Sequence, residues 1–266
     1  MANQLYILKL GGSVITDKKG NKCTVKKNRL EKIAGIISKA VAKKKFKLIL
    51  VHGAGPFGHK IVTDYKIANG VKTVKQIEGL VKTRQSMETL DEAVIEALVK
   101  KNVPAFEVQA SSCIIQNKKK IVSFDTKIIQ KLLELGAVPV MYGDMVIDNS
   151  LGASVVSGYA IISFLAKKLK ASKVLLGTDV NGIYDSNPKK NKKAKLILEI
   201  NNKNINSILK KVSHSSSVDV TDGMKGKLSE IRASKAKETI IFNLEKEKNL
   251  ELLLQGKKIN CTIVKF

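Results

Sequence analysis

Two glycine turns, each at the end of a strand-like apolar run, constrain the fold of this chain more than any other feature. The first run, residues 5–10, carries a lone lysine, Lys9, and ends in Gly11-Gly12-Ser13. The second run, residues 47–51, leads into the glycine-rich segment 52–59. Glycine has no Cβ, so backbone N–H groups in such turns can approach an anion closely. Two such turns at the carboxyl ends of two strands indicate two anionic groups held face to face, which is the geometry of phosphoryl transfer.

Helical and strand patterns alternate along the chain, which predicts an α/β protein. We expect a three-layer α/β/α sandwich with a mostly parallel, open central sheet and helices on both faces. Two long helices are predicted at 28–45 and 75–101 from apolar residues at helical spacing, and the second stripe includes Ile77 and Val81. The sequence contains no internal repeat, so residues 1–266 are expected to form a single domain.

The charge of the chain attracts anions without indicating a nucleic-acid site. There are 48 basic residues against 23 acidic ones, which gives a formal charge of +25, and almost all the basic residues are lysines. Such a field favours nucleotides and phosphates. However, aromatic residues make up only 5% of the chain and the lysines are scattered. We therefore expect no dedicated binding of nucleic acid.

Membrane and secretory features are also missing from the sequence. No run of eighteen apolar residues occurs, so no membrane-spanning helix is expected. The first strand-like run begins too early to leave room for a signal peptide. Cys23, Cys113 and Cys261 are odd in number and have no metal-ligand spacing. These observations predict a cytoplasmic protein with no metal ligands of its own.

Six segments, in order along the chain, resemble the motifs of the amino acid kinase superfamily and, within it, of the archaeal-type isopentenyl phosphate kinases. They span nearly the whole chain and comprise residues 9–13 with Lys18, 52–59, 142–144, 157–158, 178–184 and 219–227. The glycine pairs are shared across the superfamily. His59 instead resembles members that phosphorylate a phosphate rather than an amino-acid carboxylate. Fosfomycin kinases are similar at this position, so the motif leaves the substrate open.

The resemblance implies ATP and Mg²⁺ as cofactors, a small-molecule phosphate as substrate, and a role for each matched residue. The implied catalytic residues are Lys9, Lys18, His59 and Asp144, of which Asp144 would orient the lysines. The acceptor phosphate would be held by Ala54, Gly55, Gly58, His59 and Gly158. The nucleotide would be held by Lys9, Gly11, Gly12, Ser13, Gly55, Asp179, Tyr184, Gly223 and Lys227. The resemblance also implies a homodimer, with an acceptor-binding lobe at 1–160 and a nucleotide-binding lobe at 161–266.

The chemistry of these residue types agrees with such roles. When one phosphate attacks another, both partners are anions, so electrostatics and alignment dominate the barrier. Lysines, a histidine and backbone donors can offset the repulsion without a covalent intermediate. The attacking oxygen is already ionised at neutral pH, so no strong general base is needed.

Several of these residues have structural alternatives. Lys9 could be a solvent-facing lysine on an edge strand. His59 could simply lie at the start of a helix, and Asp144 could be an ordinary turn aspartate. Asp179 could belong only to a turn before Gly182. His52 is expected to be structural, because it lies at a strand end before the glycines.

The chain departs from the family pattern at several positions, mildly at Ala54 and Pro56 and more consequentially at two other places. Tyr159-Ala160 stand where an acidic residue is common, which removes a carboxylate that could orient lysines or a magnesium ion. Asp222 stands where a glycine is usual, and it would repel the nucleotide phosphates unless a lysine pairs with it. Three functions therefore stay open: a kinase of isopentenyl phosphate in isoprenoid biosynthesis, a kinase of another acceptor such as a phosphonate or an amino-acid carboxylate, and a noncatalytic nucleotide-binding relative.

Overall fold

The computed structural model describes residues 4–19, 22–43, 45–212, 223–234 and 236–266, and it describes no side chain at 18, 19, 22, 210–212 or 223–227. Within these residues the strands are β1 (Gln4–Leu10), β2 (Thr16–Lys19), β3 (Lys22–Val25), β4 (Phe46–His52), β5 (Ala105–Glu107), β6 (Ile114–Asn117), β7 (Lys120–Phe124), β8 (Val138–Tyr142), β9 (Asp144–Asp148), β10 (Gly152–Val156), β11 (Lys173–Thr178), β12 (Glu199–Ile200), β13 (Glu238–Asn243) and β14 (Thr262–Val264). The helices are α1 (Gly12–Ile15), α2 (Lys27–Val41), α3 (Pro56–Asp64), α4 (Val74–Val99), α5 (Ala110–Cys113), α6 (Lys127–Leu135), α7 (Gly158–Lys168), α8 (Ile205–Val212), α9 (Gly223–Ala233) and α10 (Glu247–Leu254).

The main sheet has eight strands in the order β12-β14-β13-β11-β1-β4-β8-β5. Strand β1 lies in the middle of the sheet and is parallel to both of its neighbours, β4 and β11. The pairing of β13 with β14 is antiparallel, and the other pairings in this sheet are parallel. The prediction of an α/β protein with a mostly parallel central sheet is confirmed.

Helices cover both faces of this sheet, so its central strands are buried on both sides. Successive residues of a strand point to opposite faces. Ile7 accordingly packs in one apolar cluster with residues of α6 and α7, and Leu8 packs in another with residues of α2 and α4. Strands covered in this way are apolar over most of their length. Among the described residues, no helix is long and apolar enough to cross a membrane.

Apolar pairs at 114–115 and 121–122 predict a hairpin, and residues 145–148 predict a short strand; both are observed, as β6–β7 and β9. The sequence patterns do not predict the sheet that these strands join, nor several other elements. A second sheet has four strands in the order β10-β9-β6-β7, and β2 and β3 form a separate antiparallel hairpin. Helix α3 precedes the predicted long helix, which is observed as α4. The expected burial of two residues in the first turns of α4 is wrong: Ile77 is 51% exposed and Val81 is 49% exposed. The apolar stripe of α4 becomes buried only farther along the helix, from Met87 to Leu98.

Asp148, at the end of β9, is a buried anchor of the second sheet. Its carboxylate accepts hydrogen bonds from the backbone N–H groups of Lys118, Lys119, Ser150 and Leu151 and from the hydroxyl group of Ser154. Burial by itself disfavours the charged carboxylate, but these donors stabilise it and lower the pKa of Asp148 to about 2. The carboxylate therefore ties two turns to one strand.

We predict that Asp148→Asn lowers the free energy of unfolding at pH 7 by about 2 kcal/mol, because an amide offers one acceptor oxygen where the N–H donors meet two. The pKa of Asp148 is lower in the folded than in the unfolded protein, so its stabilising effect is complete above about pH 4. The effect is lost as the pH falls toward 2. In urea titrations, the difference in the free energy of unfolding between wild type and variant should therefore become smaller from pH 7 to pH 3. The control is Asp64→Asn, which alters an exposed ion pair with Lys60 and should change little. A gap that is independent of pH would contradict this role.

Candidate functional site

Four neighbouring parallel strands of the main sheet end at the same edge, and the predicted site residues follow them. The register pairs Leu10 of β1 with His52 of β4 and with Gly177 of β11. It also pairs His52 with Tyr142 of β8. In open α/β sheets, ligands bind in the crevice outside the carboxyl ends of the strands. This edge is therefore the candidate site.

The two glycine turns touch each other at this edge through their backbones. The N–H group of Gly53 donates to the carbonyl oxygen of Leu10 at 2.8 Å. A Cβ on Gly12 would lie 2.3 Å from the nitrogen of Gly55, and a Cβ on Gly53 would lie 2.6 Å from the nitrogen of Gly12. Gly55 also has a left-handed φ of +51°. Side chains at these positions would force the turns apart, so glycine is what allows the contact.

Lys9 is buried beside these turns, with 7% of its surface exposed. It lies in the central strand β1, opposite Val51 and Leu176, so the alternative of an edge-strand lysine facing solvent is wrong. Its Cε lies 3.5 Å from the point that a Cβ on Gly158 would occupy. Its Nζ lies 3.8 Å from the centroid of the Tyr159 ring. The structure therefore brings Lys9 together with the first residues of α7.

Two helices begin at the same edge and add to its positive potential. Helix α3 begins after Gly55, and α7 begins after Ser157, whose hydroxyl accepts a hydrogen bond from the N–H group of Ala160. By sequence, neither first turn contains an aspartate or glutamate. Helix N-termini carry N–H groups without intrahelical partners and favour anions. With the Lys9 ammonium beside the start of α7, the edge suits a ligand that carries several negative charges.

A buried hydrogen-bonded pair, His52 and Asp91, connects the start of the second glycine turn to α4. The Nε2 atom of His52 lies 2.9 Å from Oδ1 of Asp91 on α4, and both side chains are fully buried. The Nδ1 atom of His52 lies 3.3 Å from the carbonyl oxygen of Gly53, and the imidazole ring stacks on Tyr142. His52 thus links the start of the turn to α4. This arrangement agrees with the structural role expected for His52.

Asp144 is buried at the start of β9, where the cation beside it is an arginine. Desolvation raises the pKa of Asp144, although a hydrogen bond from the N–H group of Met145 and the charge of Arg84 oppose that shift. Arg84 lies 3.4 Å from the Asp144 carboxylate and also contacts Ser111 and other polar side chains at this edge. Sequence reasoning missed Arg84. The sequence feature that could have pointed to Arg84 is that it is one of three arginines in a lysine-rich chain.

The acceptor candidates that follow the second turn lie on α3. Gly58 is buried, and a Cβ there would lie 2.8 Å from Cβ of Ala54. The N–H group of His59 donates to the carbonyl oxygen of Gly55 at 3.3 Å, and the His59 side chain is exposed. The structure therefore gathers Ala54, Gly55, Gly58 and His59 within the first turn of α3 and the two residues before it.

Several of the nucleotide candidates lie on the β11 side of β1. A Cβ on Gly11 would lie 2.6 Å from the carbonyl oxygen of Gly177 in β11, whereas Ser13 is exposed. Asp179 follows β11 and forms an ion pair with Lys189, and Tyr184 forms a β-bridge with Leu196.

The remaining site candidates lie partly or wholly outside the residues that the structure describes. Gly223 is the first residue of α9. The side chains of Lys18 and Lys227, and the whole of Asp222, lie outside the described residues. Their roles stay predictions.

Comparison with known proteins gives matches over nearly the whole chain. Residues 4–243 match the model of the amino acid kinase family. The chain is 39% identical over 259 residues to the isopentenyl phosphate kinase of Methanocaldococcus jannaschii, with 95% of each chain covered. It is 35% identical to the isopentenyl phosphate kinase of Methanothermobacter thermautotrophicus, with 97% of this chain and 98% of the relative covered. An X-ray structure of an isopentenyl phosphate kinase aligns with a TM-score of 0.83 at 33% identity, covering 98% of this chain and 100% of the other.

We predict that Gly12→Ala lowers the free energy of unfolding by about 2 kcal/mol, because the new methyl group would overlap the backbone of the facing turn. The matched control is Gly35→Ala in α2, where a Cβ would meet nothing within 4 Å. That variant should gain roughly 0.5–1 kcal/mol from the better helix propensity of alanine. Urea unfolding followed by circular dichroism measures both changes. Equal stability of the two variants would contradict a tight contact between the turns.

Proposed function

This chain belongs to the amino acid kinase family and is of the isopentenyl phosphate kinase type, and from that premise we propose that it transfers the γ-phosphoryl group of ATP to isopentenyl phosphate. The products would be isopentenyl diphosphate and ADP, which places the enzyme in isoprenoid biosynthesis. The observation that carries the proposal is the backbone contact between the two glycine turns, with buried Lys9 beside it. The choice of substrate rests on the relatives, which bear the name of this kinase.

The geometry suits a reaction between two phosphates. A terminal oxygen of the acceptor attacks the γ-phosphorus of ATP, and the bond between that phosphorus and the bridging oxygen of ADP breaks. We assign the transferring group to the first turn, where the N–H groups of Gly12 and Ser13 and the Lys9 ammonium would offset its charge. The acceptor phosphate is assigned to the second turn, with His59 and Gly158 as further contacts. No general base is needed, since the acceptor oxygen is already ionised at neutral pH.

The two substrates would approach this edge from different sides of β1. We assign the acceptor to residues 1–160, whose strand β4 leads into the second turn. We assign the nucleotide to residues 161–266, with Asp179, Tyr184, Gly223 and Lys227 along it. The position of β1 between β4 and β11 supports this division, because each half contributes one of its neighbours. Lys9 would then act where the two ligands meet.

We propose that Mg²⁺ enters with the nucleotide. Among the described residues, no three histidine, cysteine, aspartate or glutamate side chains are grouped as metal ligands. The glycine turns and Lys9 offer N–H donors and an ammonium, which suit phosphate oxygens, and the carboxylates of Asp144 and Asp179 each lie beside a basic side chain. Mg²⁺ commonly keeps water ligands and binds through substrate phosphates. When bound in this way it would neutralise phosphate charge, while the residues named above position the reacting groups.

A cytoplasmic homodimer also stays a proposal. Cys23, Cys113 and Cys261 are free thiols, which suits a reducing compartment. Light scattering on the purified protein would give the mass of the assembly.

We predict that the purified protein with ATP and Mg²⁺ converts isopentenyl phosphate to isopentenyl diphosphate, seen by phosphorus NMR as a new pair of diphosphate doublets. Lys9→Ala should reduce turnover more than tenfold and leave the melting temperature nearly unchanged, because its charge acts mainly on the transition state. Fosfomycin and a panel of amino acids are assayed in parallel. Phosphorylation of one of those acceptors instead would overturn the substrate, and ATP binding without any product would indicate a noncatalytic relative.

We predict that His59→Ala loses most activity, because an imidazole N–H donated to the acceptor phosphate is a directional bond that alanine cannot replace. His59→Gln keeps an N–H donor and should retain more. The control is Lys60→Ala on the exposed side of the same helix, which removes a surface pair with Asp64 and should leave turnover unchanged. Titration calorimetry with a nonhydrolysable ATP analogue should show little change for either His59 variant. Loss of nucleotide binding with normal acceptor affinity would mean that the two ligand positions are reversed.

A further inference from the structure

The aromatic ring beside Lys9 has no place in the mechanism described so far. The Lys9 ammonium lies 3.8 Å from the centroid of Tyr159, well within the range of a cation–π contact. We propose that Tyr159 is a positioning residue for phosphoryl transfer: its ring holds the Lys9 ammonium in place without neutralising it. This inference rests on the proposed function, because it gives the positioned ammonium a role in that reaction.

The contact between Lys9 and Tyr159 is fixed because the surroundings of each side chain restrain it. Lys9 extends from the buried central strand, and its Cε already lies close to the backbone of Gly158. Tyr159 is the second residue of α7, which Ser157 caps, and its partly buried ring packs against the apolar core cluster beneath that helix. Ile162 and Ile231 lie beside Tyr159 around a small cavity. Neither partner therefore reaches this position as a free surface side chain.

Unlike a carboxylate, the Tyr159 ring leaves the charge of the Lys9 ammonium available to a ligand. Among the described residues, the ion pairs involve other cations, and none is formed by Lys9. A carboxylate beside Lys9 would orient the ammonium but would also cancel much of its field. A ring face attracts the ammonium through its quadrupole and carries no net charge. The full positive charge and the ammonium N–H donors then stay available to the phosphoryl group, whose charge shifts during transfer.

The first test compares Tyr159→Leu with Tyr159→Phe. The leucine variant loses the ring face, so its kcat should fall about tenfold while the KM values for ATP and acceptor change less than about twofold. The phenylalanine variant keeps the ring and should stay within about threefold of wild type. The matched control is Tyr6→Leu, which removes a ring 5.7 Å from Lys173 near the start of β1 and should keep its kcat. Melting temperatures show which variants are folded, and Tyr159→Met replaces the leucine variant if that one unfolds.

The second test reads the contact directly, without activity. In the ligand-free protein, the ring current of Tyr159 should move the ε-methylene protons of Lys9 upfield, and Lys9→Arg identifies that signal. The shift should persist in Tyr159→Phe and vanish in Tyr159→Leu. An absent shift in wild type, or a leucine variant with unchanged kcat, would overturn the proposal. A shifted Lys9 signal in a protein that makes no isopentenyl diphosphate would instead reject the proposed function and leave the contact established.

Discussion

The direct backbone contact between the two glycine turns is the constraint on which the rest of the site depends. Strands β1 and β4 are paired along the whole of β1, so the segments that leave them must begin side by side. A Cβ on Gly12 would stand 2.3 Å from the nitrogen of Gly55, so any side chain there would separate the turns. With the turns in contact, the two helix starts and the Lys9 ammonium converge on one space. Anions bound to the two turns would then lie close enough to react.

The sequence predicts the main layers of the fold well, because their signals are local. Apolar periodicity locates α2 and α4 to within a few residues, and the alternation of elements gives the parallel sheet. Local patterns also predict the β6–β7 hairpin and strand β9, but not their assembly with β10 into a second sheet, because β6 and β9 are separated in the chain and pair only in the folded protein. Ile77 and Val81 illustrate the same limit, since helical spacing identifies an apolar stripe but not where along the helix a partner lies.

The same distinction divides the candidate site. Lys9, the glycine turns and Gly158 can be recognised because each lies within a few residues of a strand end. The pairs His52–Asp91 and Arg84–Asp144 join residues 39 and 60 positions apart, so only the folded chain shows them. Tyr159 is the instructive case. In the sequence, Tyr159 stands where a carboxylate is common. In the structure, its ring lies beside the Lys9 ammonium.

Helix α4 has a mechanical consequence for this edge. Its 26 residues span about 39 Å, and the same helix carries Arg84 and Asp91, two helical turns apart on one face. One residue is tied to the start of β9 and the other to the end of β4. A continuous helix of this kind behaves as a stiff strut, so a tilt or axial slide displaces both attachments at once. His52, at the start of the second turn, and the Asp144 carboxylate are therefore coupled through α4, so neither can move without the other.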